Sequence, residues 1–150
     1  HFLYSAIDDR PITIYGDGRQ VRDVLAVEDL MRAFEGVRAN LNKTAGQIYN
    51  VGGGLANTTS LLELIDQIQV FTGHRVRYSM EAVRPGDQPV YVTDYSKLRH
   101  HIGWEPGMSV NDILRNIHEW RRQNSDFFQM PSLATPFSVP QFAGVPEAAS

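Results

Sequence analysis

Apolar positions recur along this chain at two spacings, and the switches between them outline its elements. Ile12-Thr13-Ile14-Tyr15 alternates at period two, as a strand with one buried face does, and Gly16-Asp17-Gly18 stops it with a turn. Ahead of it, Phe2, Leu3, Ala6 and Ile7 are spaced like the end of an amphipathic helix over residues 2–9, closed by Pro11 because proline cannot continue the hydrogen-bond ladder. Val21 to Val27 reads as extended structure. Glu28 and Asp29 then place negative charge in a helix's first turn, and Val27, Leu30, Met31, Phe34, Val37 and Leu41 form one apolar stripe along it.

Gln47-Ile48-Tyr49-Asn50-Val51 reads as a further strand, ended by Gly52-Gly53-Gly54. Ser60 with Glu63 three residues on is a capping box, Leu61, Leu64, Ile65, Ile68 and Phe71 are the buried stripe behind it, and Gly73 is the left-handed terminator. Arg75 to Ser79 alternates charged and apolar residues and predicts a strand with one wet face. Arg84-Pro85-Gly86-Asp87 is a turn, and Val90-Tyr91-Val92 a short extended piece. Asp94 caps a brief helix through Ile102, ended by Gly103. Ser109 and Asp112 open the last helix, with Val110, Ile113, Leu114, Ile117 and Trp120 as its stripe.

The order β, β, α, β, α, β, α, α predicts an α/β protein in which helices cover strands. Residues 1–126 make one unit. The helical pattern collapses after about Gln129, and 127–150 reads as a disordered Pro-rich tail: the last 22 residues hold four of the eight prolines and a single charge, Glu147. The chain starts at His1 on what reads as the end of a helix, so an internal start is expected, in a piece of a longer protein.

Composition narrows the function classes. The 150 residues are 42% hydrophobic with net charge -3, which describes a soluble globular protein and sets nucleic acid aside as the main partner. With no cysteine there are no disulfides or thiolate metal sites, in keeping with a cytoplasmic protein. No apolar run approaches a membrane span, and no signal peptide is visible. The five histidines have no metal-ligand spacing, so no metal is expected. No G-x-S-x-G elbow supports a serine triad.

Gly52, Gly54 and Asn57 nearly spell a dinucleotide fingerprint, but Asn57 stands where the third glycine belongs, and a cofactor-free strand-to-helix turn is the better reading. Arg22 lies on a strand beside Asp23, and Arg84 opens the rigid turn that ends in Asp87. Guanidinium groups match phosphate oxygens, and a carboxylate suits vicinal hydroxyls. Spacing alone favours ordinary surface or salt-bridging arginines. Thr13 and Tyr15 share one strand face, where a hydroxyl and a ring could hold a flat base, or Tyr15 could pack on the core edge.

Taken together, IYGDGRQVRDVLAVEDL, IYNVGGGLANTTSLLELI, RPGDQPVYVTDYSKLRHHIGWEP and SVNDILRNIHEW, in this order over about residues 1–125, resemble the C-terminal portion of the NAD-dependent nucleotide-sugar epimerases and dehydratases, the extended short-chain dehydrogenase/reductase family. The resemblance implies the substrate-binding part of a Rossmann-like fold whose N-terminal cofactor half is missing. It implies that Arg22, Arg84 and Asn50 hold a nucleotide-sugar diphosphate, that Asp87 faces the ribose, and that Thr13 and Tyr15 line the base. Within the family the motifs look most like the branch that epimerises a CDP-sugar at C2 through a 2-keto intermediate, with a 4,6-dehydratase, a 4-epimerase or a non-catalytic nucleotide-sugar-binding domain as alternatives. NAD, held by the missing half, and a homodimer of the full-length enzyme are further implications. The family's Tyr-x-x-x-Lys pair is absent, since Lys43 and Lys97 follow Ala39 and Thr93 at that spacing, so no catalytic or cofactor-binding residue is expected here and the fragment alone should be inactive. Some of its strands and helices would lack neighbours, leaving exposed edges that favour association.

Overall fold

A computed structural model describes residues 1–129. Its first sheet grows from β1 (Ile12–Tyr15), whose Ile12 and Ile14 are completely buried while Thr13 faces out. β1 pairs in parallel with β4 (Tyr78–Glu81), Ile12 opposite Tyr78. Leu3 and Ala6 of α1 (Phe2–Ile7), Ile65 and Ile68 of α4 (Leu61–Thr72), Leu114 of α6 (Val110–Gln123) and Val76 close over the buried isoleucines. Each fully buried Ile contributes on the order of 1.5–3 kcal/mol relative to an exposed one.

A second sheet has the order β3 (Thr58–Ser60), β2 (Val21–Asp23), β5 (Val90–Tyr91), with β2 antiparallel to β3 and parallel to β5. Residues 82–89 therefore cross from one sheet to the other, carrying the Arg84–Asp87 turn between them. Beside this sheet a second core joins Ala33 of α2 (Val27–Ala39), Leu98 of α5 (Ser96–Ile102) and Trp104. A short α3 (Leu41–Thr44) follows α2, and α7 (Ser125–Gln129) follows α6. The α/β class expected from the pattern is what forms. The Pro-rich segment expected to be a tail lies, from residue 130, outside the described residues.

Local signals behave as read. Ser60 Oγ accepts from the Glu63 N–H at 3.2 Å while the Glu63 carboxylate accepts from the Ser60 N–H at 2.8 Å. Ser109 and Asp112 repeat this box at α6, and Gly73 and Gly103 end α4 and α5 in the left-handed conformation.

Several expectations fail, all where a distant neighbour decides. Extended structure does not run from Val21 to Val27; only 21–23 pair, and α2 starts at Val27. Residues 47–51 form no strand, because no strand lies beside them among the described residues and extended chain becomes a strand only by pairing. Ile48 stays 85% exposed there. The strand expected at 75–79 lies at 78–81, set by the β1 register, and residues 58–60, of which the pattern assigns a place only to Ser60, as the helix cap, are a strand on β2.

The α2 stripe is the largest correction. Val27, Met31, Phe34 and Leu41 are exposed, and the face turned inward carries Asp29 and Ala33. Asp29 is 2% exposed. Its carboxylate accepts from the Gly107 N–H (3.0 Å), the Met108 N–H (3.1 Å) and Arg32. The other two residues of the stripe, Leu30 and Val37, are half-buried, and Val37 packs against the second core, so only part of the stripe faces outward. On α6, likewise, Ile113 and Leu114 are buried while Ile117 and Trp120 stay partly exposed.

Candidate functional site

The wall of interest forms where β1, β2 and the 84–87 turn meet. β2 alternates its side chains, so Arg22 and Asp23 leave the strand on opposite faces. Asp23 Oδ2 accepts from the Gly54 N–H at 2.9 Å, tying β2 to the glycine loop. Arg22 turns the other way. It donates from Nη1 to the Val21 carbonyl at 2.8 Å and from Nη2 to Asp87 Oδ1 at 2.6 Å.

Arg84 lies on the same turn, which is closed by the Asp87 N–H donating to the Arg84 carbonyl at 3.1 Å. Its guanidinium stands 3.6 Å from the centre of the Tyr15 ring, a cation–π stack. Gln20 fixes the other side of that strand end, donating to the Tyr15 carbonyl at 2.9 Å. A small cleft opens here, lined by Tyr15, Gly16, Gln20, Val83, Asp87, Gln88 and Pro89.

Four of the six expected residues, Tyr15, Arg22, Arg84 and Asp87, are thus joined by direct contacts. Thr13 is exposed on β1 on the same side as Tyr15. Asn50 is exposed in the loop before the glycine run and makes no hydrogen bond to the other five. One face of the Tyr15 ring is covered by Arg84, so a base could not stack on that face in this conformation. The two residues that spacing did not single out are Gln20 and Asp23. The adjacency of Asp23 to Arg22 was visible, but its role as the anchor of a loop 31 positions away was not.

The residues present do not fit a dinucleotide. A Cβ on Gly52 would collide with Thr93 and with the Asp23 carboxylate, and one on Gly54 would run into the Tyr95 ring. Gly54 also holds φ +65, which favours glycine. The glycines make room for the chain's own side chains. Among the described residues no helix is long and apolar enough to cross a membrane.

Comparison with known proteins follows the same outline. The profile of the GDP-mannose 4,6-dehydratase family matches residues 4–117. CDP-paratose 2-epimerase of Salmonella typhi is 37% identical over 112 residues, 75% of this chain and 33% of that protein. dTDP-glucose 4,6-dehydratase of Salmonella typhimurium is 32% identical over 131 residues, 83% of this chain and 36% of that protein. The crystal structure of UDP-glucose 4-epimerase from Stenotrophomonas maltophila, with bound NAD and formylated UDP-arabinopyranose, superposes with a TM-score of 0.74 at 27% identity, covering 84% of this chain and 39% of that one. The chain spans about a third of the length of the curated relatives it matches. With most of its residues inside the family profile, this chain belongs to the extended short-chain dehydrogenase/reductase family of nucleotide-sugar epimerases and dehydratases.

Proposed function

We propose that this chain is the part of an NAD-dependent epimerase that holds a nucleotide sugar by its diphosphate, with a CDP-sugar as substrate and C2 as the carbon inverted. The observation that carries the reading is that the 84–87 turn, which lies between the two sheets, brings Asp87 onto Arg22 of β2 and Arg84 onto Tyr15 of β1. Guanidinium groups suit the oxygens of a diphosphate, since charged donors bind anionic oxygen about twice as strongly as neutral ones. Asp87 would accept from the vicinal hydroxyls of the ribose. Asn50, Thr13 and the free side of Tyr15 would complete the nucleotide's seat. The CDP and C2 assignments rest on the 37% identity to CDP-paratose 2-epimerase.

In this reading the described residues bind and orient, and no acid, base or cofactor seat is assigned among them. NAD would belong to the portion of the family's length that this chain does not span, and would supply hydride transfer there. A homodimer of the full-length enzyme and a cytoplasmic location are parts of the same reading. The 32% identity to dTDP-glucose 4,6-dehydratase supports a second reaction, dehydration at the sugar, from the same seat. Thermal protection by CDP-, UDP-, GDP- and dTDP-sugars tests the proposal. The CDP-sugar should protect most; protection by none of the four would overturn it, and a dTDP-sugar in first place would favour the dehydratase.

A further inference from the structure

We infer that Asp87 competes with phosphate for Arg22, and that this competition makes the site select a nucleoside diphosphate over a bare diphosphate. The inference rests on reading the wall as a diphosphate seat. Arg22 has both ends of its fork engaged, one by the Val21 carbonyl and one by Asp87. The carboxylate therefore sits where an anionic ligand oxygen would have to bind.

The pair is built to open. The Arg22 and Asp87 side chains are 34% and 29% exposed, so water screens their attraction. Residues 81–91 are all exposed, and Gly86 at φ +81 gives the turn its bend. Two side-chain contacts hold this turn down, Asp87 on β2 and Arg84 on β1. A diphosphate carries more charge than one carboxylate and can take Arg22 from it.

What happens to the displaced Asp87 decides the selectivity. A ligand with a ribose offers it two vicinal hydroxyls as new donors. Inorganic pyrophosphate offers none and leaves the carboxylate beside a second anion, which is unfavourable. Asp87 thus opposes any diphosphate at Arg22 and is compensated by those that carry a diol.

The test is calorimetric titration of the 150-residue chain at low salt with pyrophosphate and, separately, with CDP, for the wild type, Asp87→Asn and Asp87→Ser, each checked for an unchanged melting profile. Removing the charge should tighten pyrophosphate by roughly two- to five-fold, the range of an exposed ion pair. The same variants should weaken CDP by about tenfold, the loss of a charge-assisted hydrogen bond. Pyrophosphate binding that is unchanged, weaker or absent in both variants would overturn the inference. Tighter pyrophosphate with no CDP binding in any form would uphold the competition while overturning the nucleotide-sugar reading.

Discussion

Trp104 donates its indole N–H to the main-chain carbonyl of Asp29 at 3.1 Å, across 75 positions of sequence. The Asp29 carboxylate, in turn, collects the Gly107 and Met108 N–H groups and Arg32. One buried aspartate therefore holds the α5–α6 connection against α2, and α2 follows directly on the strand that presents Arg22. Asp29→Ala would leave two N–H groups without an acceptor in a nearly closed site. The expected loss is about 2–4 kcal/mol, from unmade hydrogen bonds to a charged group. Urea unfolding measures it, and a loss below about 1 kcal/mol would show that water replaces the carboxylate.

The same residue sets an acid limb. Burial by itself pushes the Asp29 carboxyl up, but Arg32 and the Met108 and Gly107 N–H groups outweigh it and hold the group below the usual carboxylate range. A carboxyl lower in the folded than in the unfolded chain stabilises above its unfolded value, and that contribution is lost as pH falls through the folded value. Stability should therefore drop below about pH 4, the ordinary Asp range. Hydrogen bonds from Ser60, Ser96 and Ser109 hold Glu63, Asp94 and Asp112 low as well. Urea midpoints from pH 7 to 2 should fall less steeply in Asp29→Asn, while keeping the part due to the other three.

Arg22→Ala and Arg84→Ala should each weaken CDP-sugar binding by at least roughly 1.5–3 kcal/mol, the range for hydrogen bonds to charged groups. Titration calorimetry reads this directly. An arginine whose removal leaves affinity unchanged is only the partner of Asp87 or Tyr15.

Val27, Met31 and Phe34 are 66%, 51% and 57% exposed along one side of α2, and Ile48 lies bare on an unpaired extended segment. At working concentrations this surface should make the 150-residue chain self-associate. Light scattering behind a sizing column should show species larger than a monomer, shifted toward monomer in Met31→Glu and Phe34→Glu. Identical profiles for variants and wild type would place the association elsewhere.

The residues of the wall were legible through motifs, and its wiring was not. Arg22 and Asp23 are adjacent in the chain, yet alternation on β2 sends one to Asp87 and the other to Gly54. Arg84 and Tyr15 were separate candidates, one for phosphate and one for a base, until the crossing between the two sheets stacked them.

By itself the sequence determined what is settled within a few residues. The Ser60–Glu63 and Ser109–Asp112 boxes, the glycine ends at 73 and 103 and the 84–87 turn all satisfy their bonds locally, so no distant partner was needed to set them. The tertiary structure decided whatever depends on a neighbour. Residues 47–51 lack a paired strand and stay unladdered, α2 turns Asp29 inward because Gly107 and Met108 bring it their N–H groups, and Arg22 meets a carboxylate 65 positions away. A helix stripe or a strand segment states only what could be buried or paired; the elements packed beside it select which of those possibilities forms.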